Sequence, residues 1–357
     1  MLELFIPGPT NVDQNVAQSL TKPMTGHRAP EFSELFAEVD QNLKKILYTQ
    51  NRVFQLTCAA TGAWEAVSRN FVGKGVLHVV NGAFSQRWAE ISEICGKEVG
   101  VIELPWGKAV KPEQIRERLL TGKFDAVALA HNETSTGVLA NLEEISSMLK
   151  REFPDVLFLI DSVSSMAGVK IEIDKLGVDA CFASLQKAWG LPSGYALLCV
   201  SENAMERSRE QKNKGYYFDL EVYDKFYKKN QTPYTPSIPH IYGLQTQTKR
   251  ILEEGLDNRF KRHKSMAKFA RNWVLENGFE LFSEEGYHSE TLTCVANTRE
   301  IDIEKVAKVL KEKGYLFDKG YGKIKFKTFR ISHMGETTQE RLEKFLKTLE
   351  ETIKASN

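Results

Sequence analysis

Between about residue 50 and residue 200, short apolar runs alternate with amphipathic stretches. The runs VFQL (53–56), VLHVV (76–80), DAVALA (125–130), VLFLID (156–161), ACFAS (180–184) and YALLCV (195–200) are nearly continuous in hydrophobicity, the mark of strands buried on both faces. Between them, 62–72, 83–95 and 141–153 carry apolar residues at helical spacing. Such alternation predicts a parallel or mixed sheet with helices on both faces, an α/β domain. Ligands of these sheets collect beyond the carboxyl ends of the strands.

Ahead of this region, Phe32, Leu35, Phe36, Val39, Leu43 and Ile46 fall on one helical face. Beyond residue 200 the texture changes to a long Lys-rich helical stretch, broken at TPYTPSIP (232–239). A short β/α/β unit is expected over about 279–331, and a closing helix begins at TTQERLEKF. The organisation expected is an N-terminal arm (1–20), a large α/β domain (21–258) and a smaller C-terminal α+β domain (259–357).

Composition narrows the function classes. A formal charge of +1 over 357 residues gives no basic excess for nucleic acid and no acidic tail for a basic partner. No run approaches the length of a membrane span, and the opening MLELFIPGPT meets Pro and Gly too soon for a signal peptide, so a cytoplasmic enzyme is expected. The five cysteines are scattered and form no C-x-x-C pair, which argues against a metal or redox role.

Polar residues at the strand tips supply the candidate chemistry. In FASLQKAWG, Lys187 stands at the end of an apolar strand; alone, it reads as a lysine that snorkels to water. Asp161 ends the run VLFLID, where helix capping is the plain alternative, and Thr134, Ser135 and Thr136 follow the run VALA, where turn formation is. Polar tips gathered around one lysine predict a pocket. TGAWEAV (61–67) opens a helix directly after the first strand, and a helix N-terminus favours an anion. Such a set matches what pyridoxal 5'-phosphate requires: a Schiff-base lysine, an acid beside the pyridine nitrogen and a phosphate cradle.

Six segments in order then resemble the class V aminotransferases of fold type I, in the alanine–glyoxylate and serine–pyruvate branch. They are PGPTNVDQN with PMTGHRAPEF, HNETSTGVL, DSVSSMAG, SLQKAWGLPSG, TPYTPSI and FKTFRISHMGE. The resemblance implies a large domain that binds pyridoxal phosphate, built on a mixed, mainly parallel seven-stranded sheet, and a homodimer with shared active sites. It assigns the Schiff-base lysine to Lys187 and the pyridine-nitrogen partner to Asp161. Thr61, Gly62 and Gln186 resemble the phosphate contacts, and Thr235, with Thr232, the residues that reach the phosphate from the other subunit. Thr134 resembles the hydroxyl near the ring's phenolic oxygen, and Phe84 the aromatic that stacks on the ring, with a packed helix face as its alternative. Arg330 resembles the arginine that grips the substrate carboxylate, a task suited to its planar fork; a structural ion pair is the alternative. TCAATGAW departs from the glycine- and serine-rich wording common in the family, and Phe84 replaces a tryptophan of some members.

The implied reaction is transamination from serine or alanine to glyoxylate or pyruvate. Phosphoserine is the second reading and would need another anion site, which His27 and Arg28 of GHR could supply; a surface turn is their plain role. An aminoethylphosphonate or purine-catabolic donor is a further option. Desulfuration or another lyase reaction fits poorly, because Gln186 stands where such enzymes carry histidine and no cysteine follows Cys294. A cofactor-binding sensor ranks lower, for the chain shows no helix-turn-helix segment or basic patch.

Overall fold

A computed structural model describes residues 2–356. Seven strands form the main sheet: β1 (Arg52–Leu56), β2 (Val76–Val80), β3 (Val99–Glu103), β4 (Ala126–Ala130), β5 (Leu157–Asp161), β6 (Ala180–Ser184) and β7 (Ala196–Val200). Their spatial order is β1-β7-β6-β5-β4-β2-β3. β7 runs antiparallel to β1 and β6, and the remaining neighbours are parallel. Six of the strands coincide with the apolar runs. The seventh, β3, is an edge strand, and its VGVIE alternates between buried and more exposed positions.

The continuous hydrophobicity of the central strands has a direct cause. Val127, Leu129, Phe158, Ile160, Cys181 and Ala183 face one core, while Ala126, Ala128, Leu157, Leu159, Ala180 and Phe182 face another. With successive side chains pointing to opposite faces, both faces need apolar residues. Fully burying a side chain such as Phe158 contributes roughly 1.5–3 kcal/mol, so the polar tips ride on well-anchored strands.

Helix α1 (Pro30–Leu47) buries the six residues that the periodicity places on one face. Helix α2 (Ala60–Phe71) follows β1 and packs Trp64, Val67 and Phe71 into the second core. Helix α3 (Ala83–Ile94) follows β2.

A further core gathers residues from 266 to 353 with Phe5 from the chain's start. Phe5 stacks on Phe345 with ring centroids 3.9 Å apart and planes at 6°. Here β8 (Glu280–Leu281), β9 (Leu292–Ala296) and β10 (Thr328–Ser332) form an antiparallel sheet with β9 in the middle. Among the described residues, no helix is long and apolar enough to cross a membrane.

Candidate active site

Every parallel strand delivers its carboxyl end to the same edge of the sheet, and there the polar residues meet. β5 shows how one of them is aimed. Leu157 and Leu159 face the core that contains α2, so Asp161, next in the alternation, points the same way. Asp161 is buried, and its Oδ2 accepts a hydrogen bond from the Trp64 indole Nε1 at 2.9 Å. Its Oδ1 accepts from the Val163 backbone N–H at 2.8 Å. Burial pushes this carboxyl up to about 7, with the charge of Glu133 adding to the rise; the Val163 and Trp64 donors oppose it.

Lys187 lies just beyond β6, half-buried. Its Nζ donates to the Pro7 carbonyl, and its own carbonyl accepts from Thr10 Oγ1 at 3.2 Å. The segment 7–10 therefore lies against the lysine. Gly8, with φ +95°, leaves the room that this needs: a Cβ there would stand 2.7 Å from Lys187 Cδ. Burial pulls the amine down to about 8, helped by the positive charge of Arg330 and opposed by Asp161 and Asp318. Lys187 thus shares its electrostatic surroundings with Asp161 and with Arg330 of the C-terminal sheet.

Beside the lysine, Gln186 Oε1 is buried without a hydrogen-bond partner among the described residues. The N-terminus of α2 likewise has no side-chain cap at Ala59 and no acidic residue in its first turn. Thr61 is exposed there and Gly62 half-buried. An uncapped N-terminus presents free N–H groups and a positive dipole end, the usual receptor for an anion.

The N-terminus of α3 is arranged in the opposite way, for it is capped by Glu133. The Glu133 carboxylate is fully buried and accepts from the Ser85 backbone N–H and Oγ, each at 2.8 Å. It also accepts from the Ser135 N–H at 3.0 Å and the Ser135 Oγ at 2.6 Å. Glu133 thereby holds the turn that presents Phe84. Glu133→Ala leaves these donors unmet, and a loss of about 2–3 kcal/mol in unfolding free energy is expected. Equilibrium denaturation checks this; an unchanged stability would show that the carboxylate is not braced as described.

Phe84 stacks on Tyr321, ring centroids 5.0 Å apart and planes at 14°. One face of Phe84 is thus held by the protein itself. Tyr321 also lies against the Arg330 guanidinium, 5.5 Å from ring to carbon, and accepts from Arg87 Nη2 at 2.8 Å. Arg330, in the middle of β10, is buried and donates to Asp318 and to the Thr134 carbonyl. The Thr134 hydroxyl pairs with Ser164 Oγ at 2.5 Å.

The 232–235 segment stands apart from this cluster in its contacts. The buried Thr232 donates its hydroxyl to the Tyr234 carbonyl, while Thr235 is exposed. Arg28 donates to the carbonyls of Thr232 and Pro233 at 2.7 and 2.8 Å and packs over Phe226. The structure thus brings Arg28 to this segment, not to the strand tips, while the His27 carbonyl accepts from Arg28 Nη1. Trp64, Glu133 and Asp318 were absent from the sequence-based set. Only Trp64 left a usable signal, three positions beyond Thr61 on the inner side of a helix that opens at the strand tips.

Comparisons with known proteins place the chain in a family. Residues 4–345 match the family model of the class-V aminotransferases. An uncharacterized aminotransferase of Methanocaldococcus jannaschii is 37% identical over 340 residues, covering 93% of this chain and 87% of its own. The serine–glyoxylate aminotransferase of Methylorubrum extorquens is 31% identical, covering 94% and 87%. Among solved structures, the alanine–glyoxylate aminotransferase of Nostoc sp. superposes with a TM-score of 0.93 at 29% identity, covering 98% of this chain and 95% of that one. A phosphoserine aminotransferase of Cytophaga hutchinsonii gives 0.91 at 28% identity, covering 99% of each.

Proposed function

We propose that this chain, which belongs to the class-V aminotransferase family, moves an amino group from serine or alanine to glyoxylate or pyruvate, with pyridoxal phosphate held on Lys187. One observation carries the reading: a lysine, a buried carboxylate and a buried arginine converge on the carboxyl edge of a sheet, beside an uncapped helix N-terminus. The residues present fit the cofactor. The open end of α2, with Thr61 and Gly62, receives the phosphate. The Gln186 amide, whose Oε1 has no partner among the described residues, would add a side-chain donor through its N–H. Thr232 and Thr235 approach the phosphate of the other subunit in a homodimer, a reading that the exposure of Thr235 supports.

When bound, the cofactor supplies a sink for the electron pair left as the amino acid's Cα–H bond breaks. The chain's own residues do the rest. Lys187, its amine pulled below its ordinary range by burial, would move the proton from the donor's Cα to the cofactor, and from the cofactor to the acceptor's Cα in the second half of the exchange. Asp161, held by Trp64 and Val163, would stand against the pyridine nitrogen and keep it protonated. Arg330 takes the substrate's carboxylate with its fork, so that donor and acceptor bind by the same handle. Phe84, braced by Tyr321, closes one side of the ring pocket. Thr134 would stand near the phenolic oxygen.

Transamination of phosphoserine is the second reading, favoured by the likeness to the Cytophaga hutchinsonii enzyme. Against it, Arg28 donates to the carbonyls of Thr232 and Pro233 and, among the described residues, has no hydrogen bond to Lys187, Asp161 or Arg330. Mixing the yellow holoenzyme with single amino acids separates the two. Serine or alanine is expected to bleach the visible band of the bound cofactor and release the matching keto acid. Bleaching by phosphoserine alone would overturn the first reading in favour of the second.

A further inference from the structure

Arg330 is held in a way that points to a role for Asp318. A guanidinium has five N–H donors. In Arg330, Nε donates to Asp318 Oδ1 at 2.7 Å and Nη2 to Asp318 Oδ2 at 2.8 Å, while Nη1 donates to the Thr134 carbonyl at 2.9 Å. Among the described residues no further acceptor engages it, so two N–H remain, one on each terminal nitrogen. Two is the number that a carboxylate bound at both oxygens requires.

The backbone fixes Asp318 as firmly as it fixes the arginine. Asp318 and Arg330 are antiparallel bridge partners, so their side chains stand opposite each other. The Gly320 N–H further pins Asp318 Oδ1 at 2.8 Å. Tyr321 covers the guanidinium plane at 5.5 Å. Asp318 holds one edge of the guanidinium, Thr134 one nitrogen and Tyr321 one face.

We propose that Asp318 is a positioning residue for the substrate carboxylate: by gripping the Nε and Nη2 edge of Arg330, it presents the remaining two N–H end-on to the substrate. This rests on the reading of Arg330 as the carboxylate anchor. Asp318 exerts two opposed effects on an incoming anion. Its charge offsets part of the arginine's attraction, whereas its grip fixes the plane of the fork. The grip dominates, because a buried guanidinium freed from Asp318 carries unmet donors and turns to whatever acceptor lies in reach. A two-point contact tolerates only about 10–20° of misalignment.

The two effects predict opposite signs, which makes the test decisive. In the holoenzyme, Asp318→Ala is expected to raise KM for alanine and for pyruvate roughly tenfold or more, the worth of one charge-assisted hydrogen bond, with kcat little changed. Propionate, which has the carboxylate but neither amine nor carbonyl, should bind correspondingly more weakly by calorimetry. Ethylamine, a donor without a carboxylate, should react as with the unaltered enzyme. Adding Asp318→Ala to Arg330→Ala should cost nothing further. Asp318→Asn, which keeps the acceptor for Nε but turns an amide donor on Nη2, carries the test if the alanine variant folds poorly. Unchanged or tighter propionate binding in a folded Asp318 variant overturns the inference. Unchanged propionate binding in Arg330→Ala overturns the reading of Arg330 itself, so the two failures are distinguishable.

Discussion

Lys187→Ala should yield a protein that folds but no longer holds its cofactor covalently: the visible band shifts to that of free or loosely bound pyridoxal phosphate. Turnover should fall by at least on the order of 10^2–10^4, the usual worth of the proton transfer alone. Folding should survive, because removing Lys187 unburdens the cleft of an amine that burial already holds near 8, below its ordinary range. The same shift fixes a pH dependence. The cofactor-free wild type should recapture added pyridoxal phosphate faster as pH climbs to about 8, where the amine becomes neutral and nucleophilic, and no faster beyond. Stability moves with it. From about 8 up to the ordinary lysine range, the unfolded chain keeps a proton that the folded chain has lost, so folding stability rises with pH across that window. A variant that keeps the bound-cofactor spectrum and normal turnover would contradict the assignment.

Asp161→Ala is expected to have the next largest effect, and on activity more than on stability. The carboxylate sits buried, with a proton affinity raised to about 7, so ionising it is costly to the fold. Its removal relieves that cost but orphans the Trp64 Nε1–H and the Val163 N–H. These terms oppose each other, and a net stability change within about 2 kcal/mol is expected. Turnover has no such compensation. Without a partner the pyridine nitrogen loses its proton, and a loss of on the order of 10^2-fold or more should follow, with weakened cofactor retention. Denaturation curves and steady-state kinetics on one preparation check both halves. Near-normal turnover would remove Asp161 from the mechanism.

Why some of this was legible in sequence and some was not follows from which interactions are local. Strands β1, β2, β4, β5, β6 and β7 could be read because each is covered on both faces and must be apolar throughout. Edge strand β3 escaped because Val99–Glu103 alternates like any half-exposed segment. Asp161 and Lys187 were visible as polar residues ending apolar runs, a breach of pattern that a strand tip explains. Arg330 was legible only through resemblance, since TFRIS alone reads as an ordinary strand. Glu133 was hidden in the polar stretch HNETSTG, where nothing local separates a capping carboxylate from a turn residue. Its partner Ser85 lies 48 positions away on α3. Asp318 was hidden likewise, for only the register of its bridge to Arg330 sets the two face to face. The contact of segment 7–10 with Lys187 spans 180 positions and depends on how the whole chain closes.

The measurement that tests the central claim most directly is the site of cofactor attachment. The yellow holoenzyme is reduced with borohydride, which fixes an imine as a stable amine, then digested and mapped by mass spectrometry. The account predicts a single pyridoxyl-phosphate adduct, on Lys187, that is absent when the enzyme has first been bleached with alanine. An adduct on another lysine, or none in a yellow preparation, would contradict it.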